Sequence, residues 1–260
     1  MGTIYQSVKN QGLITAQPGG SINCASALID SGKPVSAITV APLSQDEVNT
    51  IASKLDMLYR NKMMPDLADM IAEEFLNILI AVGAVKYQTQ SEFGGILAQG
   101  TQLDLWPIRP KDVGGTLLNP AATGSKGIYG GTSAGIHTWL TTGLTAGTKA
   151  SLIPSQTMWQ YAGMIYLGFI ETLATAKMSG VQFTLAGIAA PPQPLTPFNK
   201  MQYGDARSVS FSRLEKPVII PPLKAQLVEV QPENIAASTT GDSDLVPIAL
   251  VIAQSQNKTL

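Results

Sequence analysis

The chain has 260 residues, enough to bury one sizeable core, with 45% hydrophobic and only 13% charged residues and a formal net charge of −1. That charge share is about half of what is usual for a soluble domain, and no Lys/Arg block stands at either end, which argues against strong direct nucleic-acid binding. A surface that is polar but nearly uncharged carries little repulsion between copies and suits a subunit that associates.

The first residues, MGTIYQ, lack the basic flank and apolar core of a secretory signal. Gly2 is not read as a myristoylation site, because Gln6 stands where that motif takes Ser or Thr. Within 1–43, SINCASALID and PVSAITVAP are short β-leaning runs separated by SGK. Cys24 is the single cysteine, so it supports neither an internal disulfide nor a zinc site, and a buried small hydrophobe is expected.

At 44–86 the pattern becomes helical. Ser44 and Glu47 spell a capping box, and Val48, Ile51, Ala52, Leu55, Leu58 and Tyr59 follow at helical spacing. Pro65 suits the first turn of a second helix, whose stripe is Leu67, Met70, Ile71, Phe75, Ile78, Leu79 and Val82, with Gly83 as the expected stop. An αα-hairpin is predicted, its apolar stripe serving as core. Asp66, Asp69, Glu73 and Glu74 are read as favourable charges at the positive end of the second helix dipole rather than as metal ligands.

Residues 88–157 are rich in Gly, Thr and Pro and are expected to be a long loop region, with TQLDLWP a possible strand. Within it, GTSAG at 131–135 has the G-x-S-x-G spelling of a nucleophile elbow at Ser133. The five residues resemble the elbow of patatin-like acylhydrolases, which implies a Ser–Asp dyad, but no Asp-Gly pair occurs in the chain to supply the second signature. The one histidine, His137, follows Ser133 by only four residues, a poor place for a general base. GTKAS at 147–151 lacks phosphate-loop spacing, and Trp106, Trp139 and Trp159 are not interleaved with basic residues. No catalytic, cofactor-binding or metal-ligating residue is therefore assigned.

From 158 the β signal returns in MIYLGFIET, VQFTLAGIAA, RSVSFSRLE, KPVIIPP, AQLVEVQP and LVPIALVIA, punctuated by Pro and Gly at roughly ten-residue intervals, as in a sandwich or barrel. PPQPLTPF is too proline-rich for a central strand. FLNILIAVGAV is too short to span a bilayer and the 158–178 stretch carries Glu171, so no transmembrane segment is expected. The run SVSFSRLEKPVIIPPLKAQLVEVQP, followed by a loop and DLVPIALVIAQ, resembles the closing strands of jelly-roll virion coat proteins.

The expected fold is mainly β, a single jelly-roll-like sandwich over 1–260 with a helical hairpin insertion at 44–86 and long loops. What the resemblance implies is a self-assembling shell protein, a virus major capsid protein located in the virion and assembled in the host cytoplasm. Its partners would be itself and other virion proteins, with no cofactor. The segments 1–20, 88–157 and 189–206 are the expected contacts. Two alternatives stand beside it: a non-catalytic attachment or carbohydrate-binding sandwich, and a serine acylhydrolase using Ser133.

Overall fold

The computed structural model describes residues 40–59, 65–92, 103–113, 129–132, 135–141, 147–171, 178–195, 210–232 and 243–254. The strands expected before residue 40, Cys24 and Ser133 lie outside the described residues.

Three helices come first: α1 Gln45–Tyr59, α2 Pro65–Glu73 and α3 Phe75–Glu92. The capping box forms at the head of α1, where Glu47 N donates to Ser44 Oγ at 3.3 Å and Ser44 N donates to a Glu47 carboxylate oxygen at 2.7 Å. Hydrogen bonding runs on across the α2–α3 boundary, with Glu74 N donating to Met70 O and Ile78 N to Glu74 O, both at 3.0 Å. The second arm of the hairpin is thus longer than the sequence predicts and does not stop at Gly83. That glycine lies inside α3 because the 40–43 segment crosses there. A Cβ on it would stand 2.9 Å from Ala41 O, and Ala41 N donates to Gly83 O at 2.9 Å.

The strands are β1 Leu103–Pro107, β2 Tyr129–Thr132, β3 Gly135–Thr141, β4 Ala150–Thr157, β5 Ala162–Glu171, β6 Met178–Leu185, β7 Ile188–Ala189, β8 Gln193–Pro194, β9 Ser210–Ile220, β10 Ala225–Pro232 and β11 Ser243–Gln254, with a short helix α4 Pro110–Val113 after β1. The expectation of a long loop at 88–157 is corrected: this stretch holds the end of α3, then β1, α4, β2, β3 and β4. Glycine, threonine and proline there mark short and edge strands rather than an absence of strands. Pro154, for example, lies in β4, which pairs on one side only, with β10, among the described residues.

One sheet runs β2-β3-β11-β5-β9, with β1 on the far end of β11; the other runs β4-β10-β6-β7, with β8 also on β6. β7 and β8 line the same edge of β6 and count as one interrupted strand. Along the path β3, β4, β5, β6, β7–β8, β9, β10, β11 the chain changes sheet at every step except the hairpin from β6 to β7. Numbered along that path, the sheets read 1-8-3-6 and 2-7-4-5, the strand order of a jelly roll.

The sheets meet through Tyr166 and Phe169 of β5, whose rings lie 5.2 and 6.5 Å from Phe183 of β6. On the opposite face β5 meets the helices: a Cβ on Gly163 would stand 2.8 Å from Val85 Cγ2 of α3. The β5–β11 sheet is therefore a middle layer, between α3 and the second sheet. This explains its sequence. β5 and β11 are near-continuous apolar runs because both faces are covered, and Leu250, Val251 and Ile252 in succession are fully buried, each worth about 1.5–3 kcal/mol. β10 has one face covered and alternates, with Gln226, Val228 and Val230 buried between half-buried neighbours. α3 is buried nearly all round from Ile78 to Val85 for the same reason as β5.

Two irregularities fit the chain to this plan. Gly168 on β5 passes so close to β9 that a Cβ would meet Ser212 O at 2.4 Å. Pro247 on β11, paired with Phe169 of β5, lies in the interval where the strand's other edge passes from β3 to β1, so neither β3 nor β1 asks for its missing N–H.

Candidate functional site

The nucleophile elbow requires a strand, a sharp turn and then a helix, whose N-terminus faces the reacting centre. Here the residues after Ser133 form β3, and β3 folds back antiparallel on β2, with Thr132 opposite Gly135 and Gly131 opposite Ile136. What flanks 133–134 is thus a strand on either side, at the edge of a sheet, and not a strand followed by a helix. The two strands were not expected from the sequence, where YGGT and GIHTWLT are dominated by glycine and threonine. His137 lies within β3, on the strand that pairs with the start of β11. Neither the Ser133 nor the His137 side chain is among the described ones, so no distance joins them.

The carboxylates grouped in the sequence divide in the structure. Glu73 closes α2 and Glu74 follows it, and both take Arg213 of β9 as partner; Asn77 Nδ2 also donates to Glu74 at 2.7 Å. Burial lowers the pKa of the Arg213 guanidinium, but the hydrogen bonds and charges of Glu74 and Glu73 outweigh it and hold it above its ordinary value. These two glutamates tie the helical layer to the sheet and do not serve the helix N-terminus, a correction that the sequence could not supply because Arg213 is 139 residues from Glu74. Lys54 of α1 ties to Asp104 of β1 at 3.0 Å, and Lys86 of α3 to Glu47 at 2.8 Å.

Asp112 is fully buried yet fully engaged. It accepts from Trp106 Nε1 at 2.9 Å and Arg109 N at 2.8 Å, and pairs with the Arg109 guanidinium, which also lies 5.3 Å over the Trp106 ring. Gln226, buried between the sheets, accepts from Tyr166 Oη at 3.3 Å, and burial pushes the Tyr166 hydroxyl pKa far up. Each group serves packing. Among the described residues no group of three His, Cys, Asp or Glu side chains could hold a metal ion, and no helix is long and apolar enough to cross a membrane.

The geometry adds a feature absent from the sequence reading. A cleft of about 380 Å³ opens on the outer face of the second sheet, between β6, β8 and β10, with Lys149, Gln182, Gln193, Glu229 and Gln231 on its walls. Strand alternation places Glu229 opposite Gln182 on that face, the one signal that could have found it. Its amides are largely occupied. Gln182 accepts from Lys149 and donates to Ala190 O at 2.7 Å, and Gln193 exchanges hydrogen bonds with the Lys216 backbone, both at 3.3 Å. Among the described residues no aromatic ring lines it.

No family model matches the chain, and no curated protein matches it. Among solved structures it is similar to the VP2 subviral particle of infectious bursal disease virus, at 10% identity and TM-score 0.27, over 60% of this chain and 34% of that one, about a third of its length. It is also similar to the CBM36-1 domain of a multidomain xylanase from the hindgut metagenome of Trinervitermes trinervoides, at 13% identity and TM-score 0.24, over 60% and 99% of the two chains. A third is the mosquito-larvicidal Cry4Aa toxin of Bacillus thuringiensis, at 12% identity and TM-score 0.22, over 59% and 24%. Likenesses at such scores carry no argument, and the fold rests on the strand order.

Proposed function

We propose that the chain is a structural subunit that assembles with copies of itself into a closed shell, as a virus major capsid protein located in the virion. The observation that carries this reading is the jelly-roll strand order of the two sheets, an architecture used by viral coat domains and shared with lectins and cupins. The 13% charged share favours the shell among these, since neutral surfaces are buried against neighbours without leaving unpaired ions. Other virion proteins are further partners, and genome packaging by direct charge neutralisation is not part of the reading.

Sedimentation velocity and negative-stain microscopy of the concentrated protein test it. Uniform closed particles are expected; a monomer at every concentration overturns it. The outer-face cleft favours one other reading, an attachment module that binds carbohydrate, although its described walls offer no ring for a sugar to stack on. A monomer that binds on a glycan array would establish that reading. Labelling by a fluorophosphonate probe that disappears in Ser133→Ala would establish an acylhydrolase instead.

A further inference from the structure

Three turns meet at one end of the sandwich. They are the β4–β5 turn with Trp159 and Tyr161, the β6–β7 turn at Ala186 and Gly187, and the β9–β10 turn Pro221-Pro222-Leu223-Lys224. Backbone hydrogen bonds hold them side by side, Met158 N donating to Lys224 O at 2.9 Å and Ala186 N to Ala225 O at 2.8 Å. Lys224 N donates to Pro221 O at 3.4 Å and closes the third turn, with Leu223 at φ 60°. That position ordinarily takes Gly or Asn, because a Cβ is strained there. The leucine held at this cost is 47% exposed. The rings of Trp159 and Tyr161 meet edge to face, centroids 4.7 Å apart. Helix α3 reaches the same end, where Val85 packs beside Gly163, and Tyr87, two residues on, is 42% exposed. Lys224 is exposed, and the sequences 158–161, 186–187 and 221–224 contain no Asp or Glu.

We infer that this end docks on a membrane surface carrying anionic headgroups. Leu223, at the apex, reaches the acyl boundary. Trp159 and Tyr161, apolar in body and polar at one tip, suit headgroup depth, and Lys224 meets the lipid charge. A second copy is the poorer occupant, since a two-fold contact through this tip brings two Lys224 charges together with no acid from the three turns to offset them. An exposed leucine next to a cation, with two half-buried rings beside it and no acid within the three turns, fits an anionic, amphipathic surface on both counts. The inference goes beyond the shell reading and does not depend on it.

The test is cosedimentation of the full chain with vesicles of phosphatidylcholine alone and of phosphatidylcholine mixed equally with phosphatidylserine. The expected result is binding that favours the mixed vesicles and weakens with added salt. Leu223→Gly is expected to lower it about tenfold on both vesicles, and Lys224→Gln about fivefold on the mixed ones only. Leu223→Gly relieves the backbone strain, so its melting temperature should not fall, which separates lost binding from lost folding. Absence of binding to the mixed vesicles overturns the inference, as does unchanged binding by both variants. If Leu223→Gly instead dissociates an oligomer in the absence of lipid, the tip belongs to a second copy and the inference is also overturned.

Discussion

At Gly168 two strands approach more closely than any side chain allows. β5 and β9 lose simple register there, passing from Gly168 opposite Arg213 to Tyr166 opposite Val218, and the glycine lets Ser212 O close against the β5 backbone. Gly168→Ala is expected to destabilise the fold by about 2–3 kcal/mol, read from the urea midpoint, because backbone rather than a flexible side chain must give way. Gly83 obeys the same logic against Ala41. Both glycines are plain in the sequence, but one looked like a helix stop and the other like an ordinary strand residue. What sets their role is a chain segment far away in sequence.

At the scale of elements, the head of α1 is a local device with a long-range addition. Burial would raise the Glu47 pKa, but hydrogen bonds from Lys86 and Ser44, with the Lys86 charge, outweigh it and hold the pKa below the ordinary 4.5. A carboxylate with a lowered folded pKa contributes stability that is complete above about pH 4.5 and is lost as pH falls through the lower folded value. Glu47→Gln is therefore expected to cost about 0.5–1 kcal/mol at neutral pH. The gap to wild type should shrink in acid, as urea titrations at several pH values would show. The link from β1 to α4 depends on Asp112. Asp112→Ala leaves the half-buried Trp106 Nε1–H and the Arg109 backbone N–H without this acceptor, with an expected loss of about 1–2 kcal/mol; Asp112→Asn, which keeps an acceptor oxygen, should lose less. Ser44 and Glu47 were legible as a pair because they stand three residues apart. Asp112 was not, because nothing in the spelling PKDV says that it will be enclosed.

For the whole molecule, helices and both sheets contribute to one continuous apolar core, with Phe75 and Val85 from the helical layer, Ile165 and Leu250 from the middle sheet, and Phe183 and Val228 from the outer one. Helix and sheet should therefore lose structure together. Far-ultraviolet circular dichroism and tryptophan fluorescence are expected to give coincident urea transitions; a separate helical transition would show that the layer unfolds independently. The helices are a covering for the face of the β5–β11 sheet turned away from the second sheet, which otherwise would expose its second apolar stripe.

What the residues determined alone was whatever depends on near neighbours. The helical stripes of 48–59 and 67–82, the capping box, and the apolar strand runs from 162 onward all follow from spacing along one element, because a side chain's face is set by the local period. What only the tertiary structure decided was partnership. Arg213 finds Glu73 and Glu74, three turns gather beside Leu223, and β5 is covered twice. Each requires the chain to bring together segments tens to more than a hundred residues apart, and the free energy that selects those pairings belongs to the shared core, not to any one segment.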